Sequence, residues 1–299
     1  MTLLPLYLQP GDTIAITCPA RKMTAAELQP AIAIIENWGY QVLLGQTIGG
    51  ENHQYSGADK ERAADFQKLL DDPQVKAIIC ARGGYGTIRI IDQLDWTHFR
   101  KHPKWIIGYS DVTVLHGHLH SLAIASLHAS MPVNFPTNTP EALESLMKAL
   151  AGGPLSYSCT PHEFNRSGDA HGELVGGNLS VLLSMSGSLS DIDTKGKILF
   201  LEDLDEYLYH IDRMMMQLQR CGKLEHLAGL VIGGMSDMRD NVIPFGKTAY
   251  EIIQERVARY DYPVCFDFPA GHITDNRALI MGAPYTLNVL EDMAELKFA

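Results

Sequence analysis

Lys104-Trp105-Ile106-Ile107-Gly108-Tyr109-Ser110-Asp111-Val112-Thr113 decides the fold: it reads as an apolar strand, a tight turn, and a helix beginning at about Asp111. A serine at such a corner is lifted clear of the sheet with its Oγ exposed. The helix N-terminus beside it turns free backbone N–H groups, with their partial positive charge, toward any oxygen held there. The general pattern for a nucleophile elbow, G-x-S-x-G, asks for glycine at position 112, where this chain has Val112. On its own the turn is equally a helix cap made by Ser110 and Asp111. The serine acquires chemical meaning only if partners exist elsewhere.

Outward from this turn, the preceding sequence alternates β-rich apolar runs with segments of helical period. Thr13 to Cys18 is followed by Ala25 to Trp38, Gln41 to Leu44 by Asp59 to Leu70, and Val75 to Cys80 by Thr87 to Leu94. After the fourth strand, Trp105 to Tyr109, the segment Val112 to Leu122 is again helical. The alternation predicts βαβ units around a largely parallel sheet. Residues 151–171 turn polar and irregular, the composition of a linker, and divide a domain 1–150 from a domain 172–299. In the second domain the sequence predicts strands at Ile198 to Leu201, Leu227 to Ile232 and Pro263 to Phe268 and two near the end, with helices at Tyr207 to Leu218 and Thr248 to Tyr260.

Two further strand ends carry ionisable groups. Lys197-Ile198-Leu199-Phe200-Leu201-Glu202-Asp203 places two carboxylates at the C-terminal end of a strand, the edge of an α/β sheet where sites collect. Phe268-Pro269-Ala270-Gly271-His272 does the same for an imidazole. A single histidine among 12 carries little meaning; the conjunction of Ser110, Glu202 and His272, each just past a strand, carries more. A serine hydroxyl is a poor nucleophile until an imidazole takes its proton, and the imidazole needs an acid to fix its tautomer.

Cys80-Ala81-Arg82-Gly83-Gly84-Tyr85-Gly86 follows the third strand, and its glycines let backbone approach a ligand closely, as a phosphate cradle or oxyanion hole requires. The dinucleotide fingerprint fails at Arg89 and no Walker motif occurs. His116 and His120 share a helix face at a spacing a metal can use, but H-E-x-x-H is absent and a polar helix face explains them as well. Met214-Met215-Met216 reads as core and Asp205-Glu206 as a solvated helix start. No metal or organic cofactor is implied.

The formal charge of −11 disfavours nucleic acid and anionic membranes as partners. No apolar run is long enough to span a bilayer and the N-terminus lacks a secretory pattern, so the expected address is cytoplasmic. Five cysteines without a Cys-x-x-Cys pair read as reduced and mostly buried. At 46% hydrophobic over 299 residues, a sizeable core is expected.

Several segments in order resemble the serine LD-carboxypeptidases, the family that includes muramoyltetrapeptide carboxypeptidases and microcin C immunity peptidases. They are Pro10-Gly11-Asp12, Arg82-Gly83-Gly84-Tyr85-Gly86, Gly108-Tyr109-Ser110-Asp111, Gly176-Gly177-Asn178-Leu179-Ser180, Leu201-Glu202-Asp203 with Ile211-Asp212-Arg213-Met214, and Gly271-His272 with Asn276. The resemblance implies Ser110 as nucleophile, Glu202 as acid and His272 as base, with oxyanion donors from the Asp111 N–H and from Gly83 or Gly84. It further implies release of terminal D-alanine from murein tetrapeptides during peptidoglycan recycling, and a homodimer. Arg82 or Arg277 suits the substrate carboxylate. The alternative within the family is a peptidase of aminoacyl-adenylate analogues, disfavoured because residues 151–172 contain no Trp for a nucleobase to stack on. From another class, a non-catalytic α/β binding protein would use the same strand ends. The expected architecture is α/β in two domains: an N-terminal flavodoxin- or Rossmann-like parallel sheet bearing Ser110, and a C-terminal domain, richer in β structure, supplying Glu202 and His272.

Overall fold

A computed structural model describes residues 2–299. In chain order the elements are β1 (Thr13–Thr17), α1 (Ala25–Asn37), β2 (Gln41–Leu44), α2 (Asp59–Asp71), β3 (Val75–Cys80), β4 (Trp105–Gly108), α3 (Thr113–Ser121), β5 (Ser126–His128) and α4 (Pro140–Ala151). They continue with β6 (Ser156–Cys159), β7 (Gly168–Asn178), α5 (Leu179–Ser184), β8 (Ile198–Leu204), α6 (Leu208–Arg220), β9 (Gly229–Ser236), α7 (Ala249–Val257), β10 (Val264–Cys265), β11 (Leu279–Met281), β12 (Pro284–Val289) and β13 (Ala294–Phe298).

The helices begin where side chains can satisfy their free N–H groups. Thr24 with Glu27 and Thr248 with Glu251 form reciprocal capping boxes on α1 and α7. Thr139 caps α4, whose first position is Pro140, and Gly152 in the left-handed region ends it.

The first sheet has the order β11-β5-β4-β3-β1-β2, parallel except where β11 runs antiparallel to β5. Its strands are near-continuous Val/Ile/Leu runs because helices cover both faces. The second sheet has the order β10-β9-β8-β7-β12-β13-β6. Its β7 to β10 arm is parallel, and its β7, β12, β13 and β6 arm is antiparallel. The 11-residue β7 serves both arms: its first half pairs with β12 and its second half with β8. The fold is thus mixed α/β, with the extra β structure of the second half lying in the antiparallel arm.

Three expectations change. Thr87 to Leu94 is not an α-helix but two 3-10 turns, Thr87–Arg89 and Ile91–Gln93. The β-branched Thr87, Ile88, Ile90 and Ile91 resist helix propagation, and the Asp111 carboxylate takes the Thr87 N–H at 2.8 Å. Residues 151–171 contain β6 and the start of β7; β6 is an edge strand with polar, solvent-facing positions, so its composition resembles a loop. The strand read at Pro263 to Phe268 shortens to β10, because the Phe266 N–H leaves the ladder for Asn165 Oδ1 at 2.8 Å. In addition, β11 leaves the second half of the chain to complete the first sheet, so the two halves interlock.

Leu127 on β5 is wholly buried between β4 and β11, whereas Leu189 is 80% exposed. Leu127→Ala should lower unfolding free energy by about 2–5 kcal/mol. Leu189→Ala should change it by under about 0.5 kcal/mol, both read from urea unfolding midpoints.

Candidate active site

Ser110 follows β4 and Tyr109 with a φ of +63°. A side chain in this left-handed region costs about 1–3 kcal/mol, and the surroundings must hold it there. A 3-10 turn over Ser110–Val112 leads directly into α3. Glycine is needed at 108 rather than 112: a Cβ on Gly108, itself at φ +152°, would lie 2.8 Å from Val112 Cγ2. The valine that breaks the general elbow pattern is accommodated by the missing side chain four residues earlier.

The glycine-rich loop after β3 lies against this turn. A Cβ on Gly83 would sit 2.9 Å from Ser110 Cβ and 3.0 Å from its Oγ, whereas a Cβ on Gly84 would strike the Arg21 side chain. Gly83 is therefore the glycine adjoining the serine. The loop is held at its far end by the wholly buried Arg62, which donates to the carbonyls of Gly86 (3.1 Å) and Pro19 and pairs with Asp59. Asp111 is buried, and burial is the chief cause that raises its pKa, against the opposing contribution of Thr87.

Glu202 and His272 meet. His272 Nδ1 and Glu202 Oε2 are 2.6 Å apart, with Glu202 wholly buried and 12% of the His272 side-chain surface exposed. The approach requires Gly271, at φ +108°, because a Cβ there would lie 2.7 Å from Glu202 Cβ. The loop is fixed by Gly271 N–H donating to Asn276 Oδ1 (2.8 Å) and by Ser236 Oγ donating to the His272 carbonyl (2.8 Å). Burial is the largest influence on His272 and favours the neutral ring. The Glu202 charge and hydrogen bond, helped by Asp203, outweigh it and raise the pKa above the ordinary histidine value.

Asp203 lies behind this pair and accepts from Asn178 Nδ2 and from the N–H groups of Ser180 (both 2.8 Å) and Leu204 (2.9 Å). Burial and the Glu202 charge push its pKa up to about 6 against those donors. Sequence reasoning passed over Asp203, Asn178 and Asn276 as site residues, although each stands in a segment quoted for the family resemblance.

Tyr109, the residue before Ser110, touches the pair: its ring packs on the His272 ring with centroids 4.7 Å apart. The tyrosine hydroxyl donates to Asn134 Oδ1 at 3.0 Å. No hydrogen bond joins Ser110 to His272 among the described residues. His116 contacts Ser126 Oγ (2.8 Å) and the Gly108 carbonyl (2.9 Å), so both ring nitrogens serve the scaffold beneath the turn. Burial pushes its pKa down to about 4.

The two candidate arginines differ. Arg277 is forked onto Asp275 through Nε (3.1 Å to both oxygens) and Nη2 (2.9 Å), a structural ion pair. Arg82 lines an open cleft of about 400 Å³ together with Arg21, Lys22, Glu27, Glu51 and Gln54. Its one hydrogen bond among the described residues is a long one, donated to the Lys22 carbonyl at 3.5 Å. No helix among the described residues is long and apolar enough to cross a membrane.

Residues 14–129 match the LD-carboxypeptidase N-terminal domain and residues 171–287 the LD-carboxypeptidase C-terminal domain. The chain is 34% identical to a probable murein peptide carboxypeptidase of Bacillus subtilis, over 98% of this chain and 94% of that one. It is 24% identical to the microcin C7 self-immunity protein MccF of Escherichia coli, over 96% and 93%. The crystal structure of muramoyltetrapeptide carboxypeptidase from Oxalobacter formigenes superposes with a TM-score of 0.86 at 27% identity, covering 96% of this chain and 98% of that one. With a Ser-bearing turn, a buried Glu–His pair and both domain matches in place, the chain belongs to the LD-carboxypeptidase family and is a serine-type carboxypeptidase hydrolase.

Proposed function

We propose that this enzyme releases terminal D-alanine from murein tetrapeptides by acyl transfer, with Ser110 as nucleophile, His272 as general base and Glu202 as its orienting acid. The observation that carries the reading is the 2.6 Å contact between a wholly buried carboxylate and His272 Nδ1. It commits Nδ1–H to Glu202 and leaves Nε2 as the basic atom. Names of relatives supply the substrate class: a murein peptide in one case, a muramoyltetrapeptide in another.

In this mechanism Ser110 Oγ attacks the carbonyl on the L-centre side of the scissile amide while Nε2 accepts its proton. The charge on Glu202 stabilises the imidazolium that results. Backbone N–H groups of Asp111 and Gly83 hold the oxyanion, each such donor commonly contributing roughly 3 kcal/mol to the barrier. Gly83 is favoured over Gly84 because it adjoins Ser110. The imidazolium protonates the leaving D-alanine amine, and water repeats the sequence on the acyl-enzyme. Arg82 is favoured over Arg277 for the substrate's free carboxylate, since Arg277 already has a bidentate partner. A cytoplasmic, homodimeric enzyme of peptidoglycan recycling is the setting that fits this substrate.

Wild type and Ser110→Ala should be incubated with a murein tetrapeptide and followed by mass spectrometry for tripeptide and D-alanine. The variant should lose at least about 10³-fold in kcat, and equal product from both proteins would reject the assignment. An aminoacyl-sulfamoyl-adenosine offered in parallel separates the two activities in the family: preferential cleavage of that compound would replace the murein reading.

Because the His272 pKa is raised and the base must be neutral to act, kcat/KM should fall as pH drops through a midpoint above about 6.5. Glu202→Gln removes the charge and leaves the burial. Its midpoint should move below that of wild type, with kcat reduced on the order of 10⁴-fold. An unchanged pH–rate profile in this variant would show that Glu202 does not govern the base.

Arg82→Ala should raise KM for the tetrapeptide by tenfold or more while the unfolding midpoint stays put, reflecting about 1.5–3 kcal/mol for a charged hydrogen-bonded contact. Unaltered Michaelis parameters would remove Arg82 from substrate binding.

A further inference from the structure

The two ends of the second sheet approach each other. Strands β10 and β6 stand at opposite ends of the strand order. Even so, the chain leading from β6 to β7 pairs with β10: Arg166 N–H donates to the Val264 carbonyl at 2.9 Å, and Val264 N–H to the Arg166 carbonyl at 3.1 Å. Arg166 reinforces the seam through Nη1 to the Tyr262 carbonyl (3.2 Å) and Nη2 to the Val257 carbonyl (2.9 Å). At this seam Cys159 Sγ and Cys265 Sγ lie 3.5 Å apart. The Cys159 thiol also faces the Ala294 carbonyl and the Cys265 thiol the Phe266 carbonyl, each at 3.7 Å. Neither thiol takes part in the chemistry described above.

Once one of two thiols held in contact by a hydrogen-bonded frame has been oxidised, its neighbour reacts with it far faster than a thiol in solution does. A disulfide needs the sulfurs at about 2.0 Å, and here they already stand in contact. The pair is also asymmetric: Cys159 is partly exposed and Cys265 is buried. The contact with Cys159 and burial raise the Cys265 pKa. Cys159 is thus the accessible partner, as the attacking member of a redox pair should be.

We propose that Cys159 and Cys265 form a redox-modification site at which a hydroperoxide converts the thiol pair into an intramolecular disulfide that staples the two ends of the second sheet. The Cys159 thiolate attacks the peroxide O–O bond, becoming a sulfenic acid as the other oxygen leaves as hydroxide or alkoxide. The Cys265 sulfur then displaces the sulfenic hydroxyl, its proton leaving in the resulting water. Two thiols are oxidised by two electrons in total and one peroxide is reduced; a dithiol reductant reverses the step. The consequence falls on the segment Phe266 to Gly271, which leads from Cys265 to His272 and contains Asp267 in the left-handed region at φ +56°.

The test uses the full chain carrying Cys221→Ser, which removes the exposed thiol capable of joining two molecules. After a modest molar excess of hydrogen peroxide, intact mass under denaturing, non-reducing conditions should fall by two hydrogens. Peptide mapping should recover one cross-link, Cys159 to Cys265, and dithiothreitol should restore the starting mass. The oxidised protein should melt at a higher temperature than the reduced one. That difference should vanish in Cys159→Ser and in Cys265→Ala, two variants chosen so that one misfolded protein does not decide the result. Sulfinic acid at Cys159 without a cross-link, a cross-link to another cysteine, or thiols left unmodified would each overturn the proposal. None of these readouts depends on carboxypeptidase turnover.

Discussion

A wholly buried carboxylate, Glu202, has one strong partner, the imidazole of His272, and much of the second half of the chain is arranged to permit that contact. A charge removed from water must be paired or it neutralises. The loop after β10 therefore has to reach back to the end of β8, and only glycine at 271 lets its backbone pass so close. The pair acts in opposite directions on stability and activity. A histidine whose folded pKa is raised stabilises the fold fully below its unfolded value and loses that contribution as pH rises through the folded value. The proposed base, by contrast, works only above that folded value. The imidazolium that strengthens the fold must lose its proton before the ring can act as a base.

Registration between the serine turn and the acid does not rest on the loops alone. Thr113, three residues beyond Ser110, accepts the Asn178 N–H on its Oγ1 at 3.1 Å. Gly177 makes room for it, since a Cβ there would lie 2.7 Å from that oxygen. Asn178 is the ladder partner of Glu202 where β7 pairs with β8. One hydroxyl thus ties the helix after the serine to β7, the ladder neighbour of the strand that carries the acid, and β11 ties the two sheets a second time.

How much of this was legible in the sequence depends on whether a residue's role is local. The strands β1, β3, β4 and β8 announce themselves as apolar runs, and Ser110, Glu202 and His272 stand just past strand ends, so position and chemistry coincide. β7 escapes the pattern because Gly168, Gly172, Gly176 and Gly177 interrupt the alternation that marks a strand; the purpose of Gly176 and Gly177, close approach to Phe200 and Thr113, is a tertiary fact. β6 was read as linker because an edge strand with solvent-facing positions lacks an apolar run. Residues 87–94 have helical period, yet the β-branched side chains at 87, 88, 90 and 91 oppose propagation and only two 3-10 turns form. Arg277 and Arg82 look equivalent in the sequence, and only the fork onto Asp275 separates them.

Val112, the departure from the general elbow pattern, shows how one steric demand can be met at different positions. The tight corner requires two backbone segments to pass without a side chain between them, and the missing Cβ at Gly108 serves as well as one at 112 would. Moving the glycine to the strand side leaves Val112 free to bury itself completely in the core, which anchors the turn from beneath. Asp111, between valine and serine, then points its carboxylate at the Thr87 N–H and draws in the glycine loop whose Gly83 adjoins Ser110. With Arg62 gripping the Gly86 carbonyl from the other side, that loop is fixed at its far end by two buried charged groups. The left-handed conformation of Ser110 is therefore held by a buried valine on one side and a pinned loop on the other.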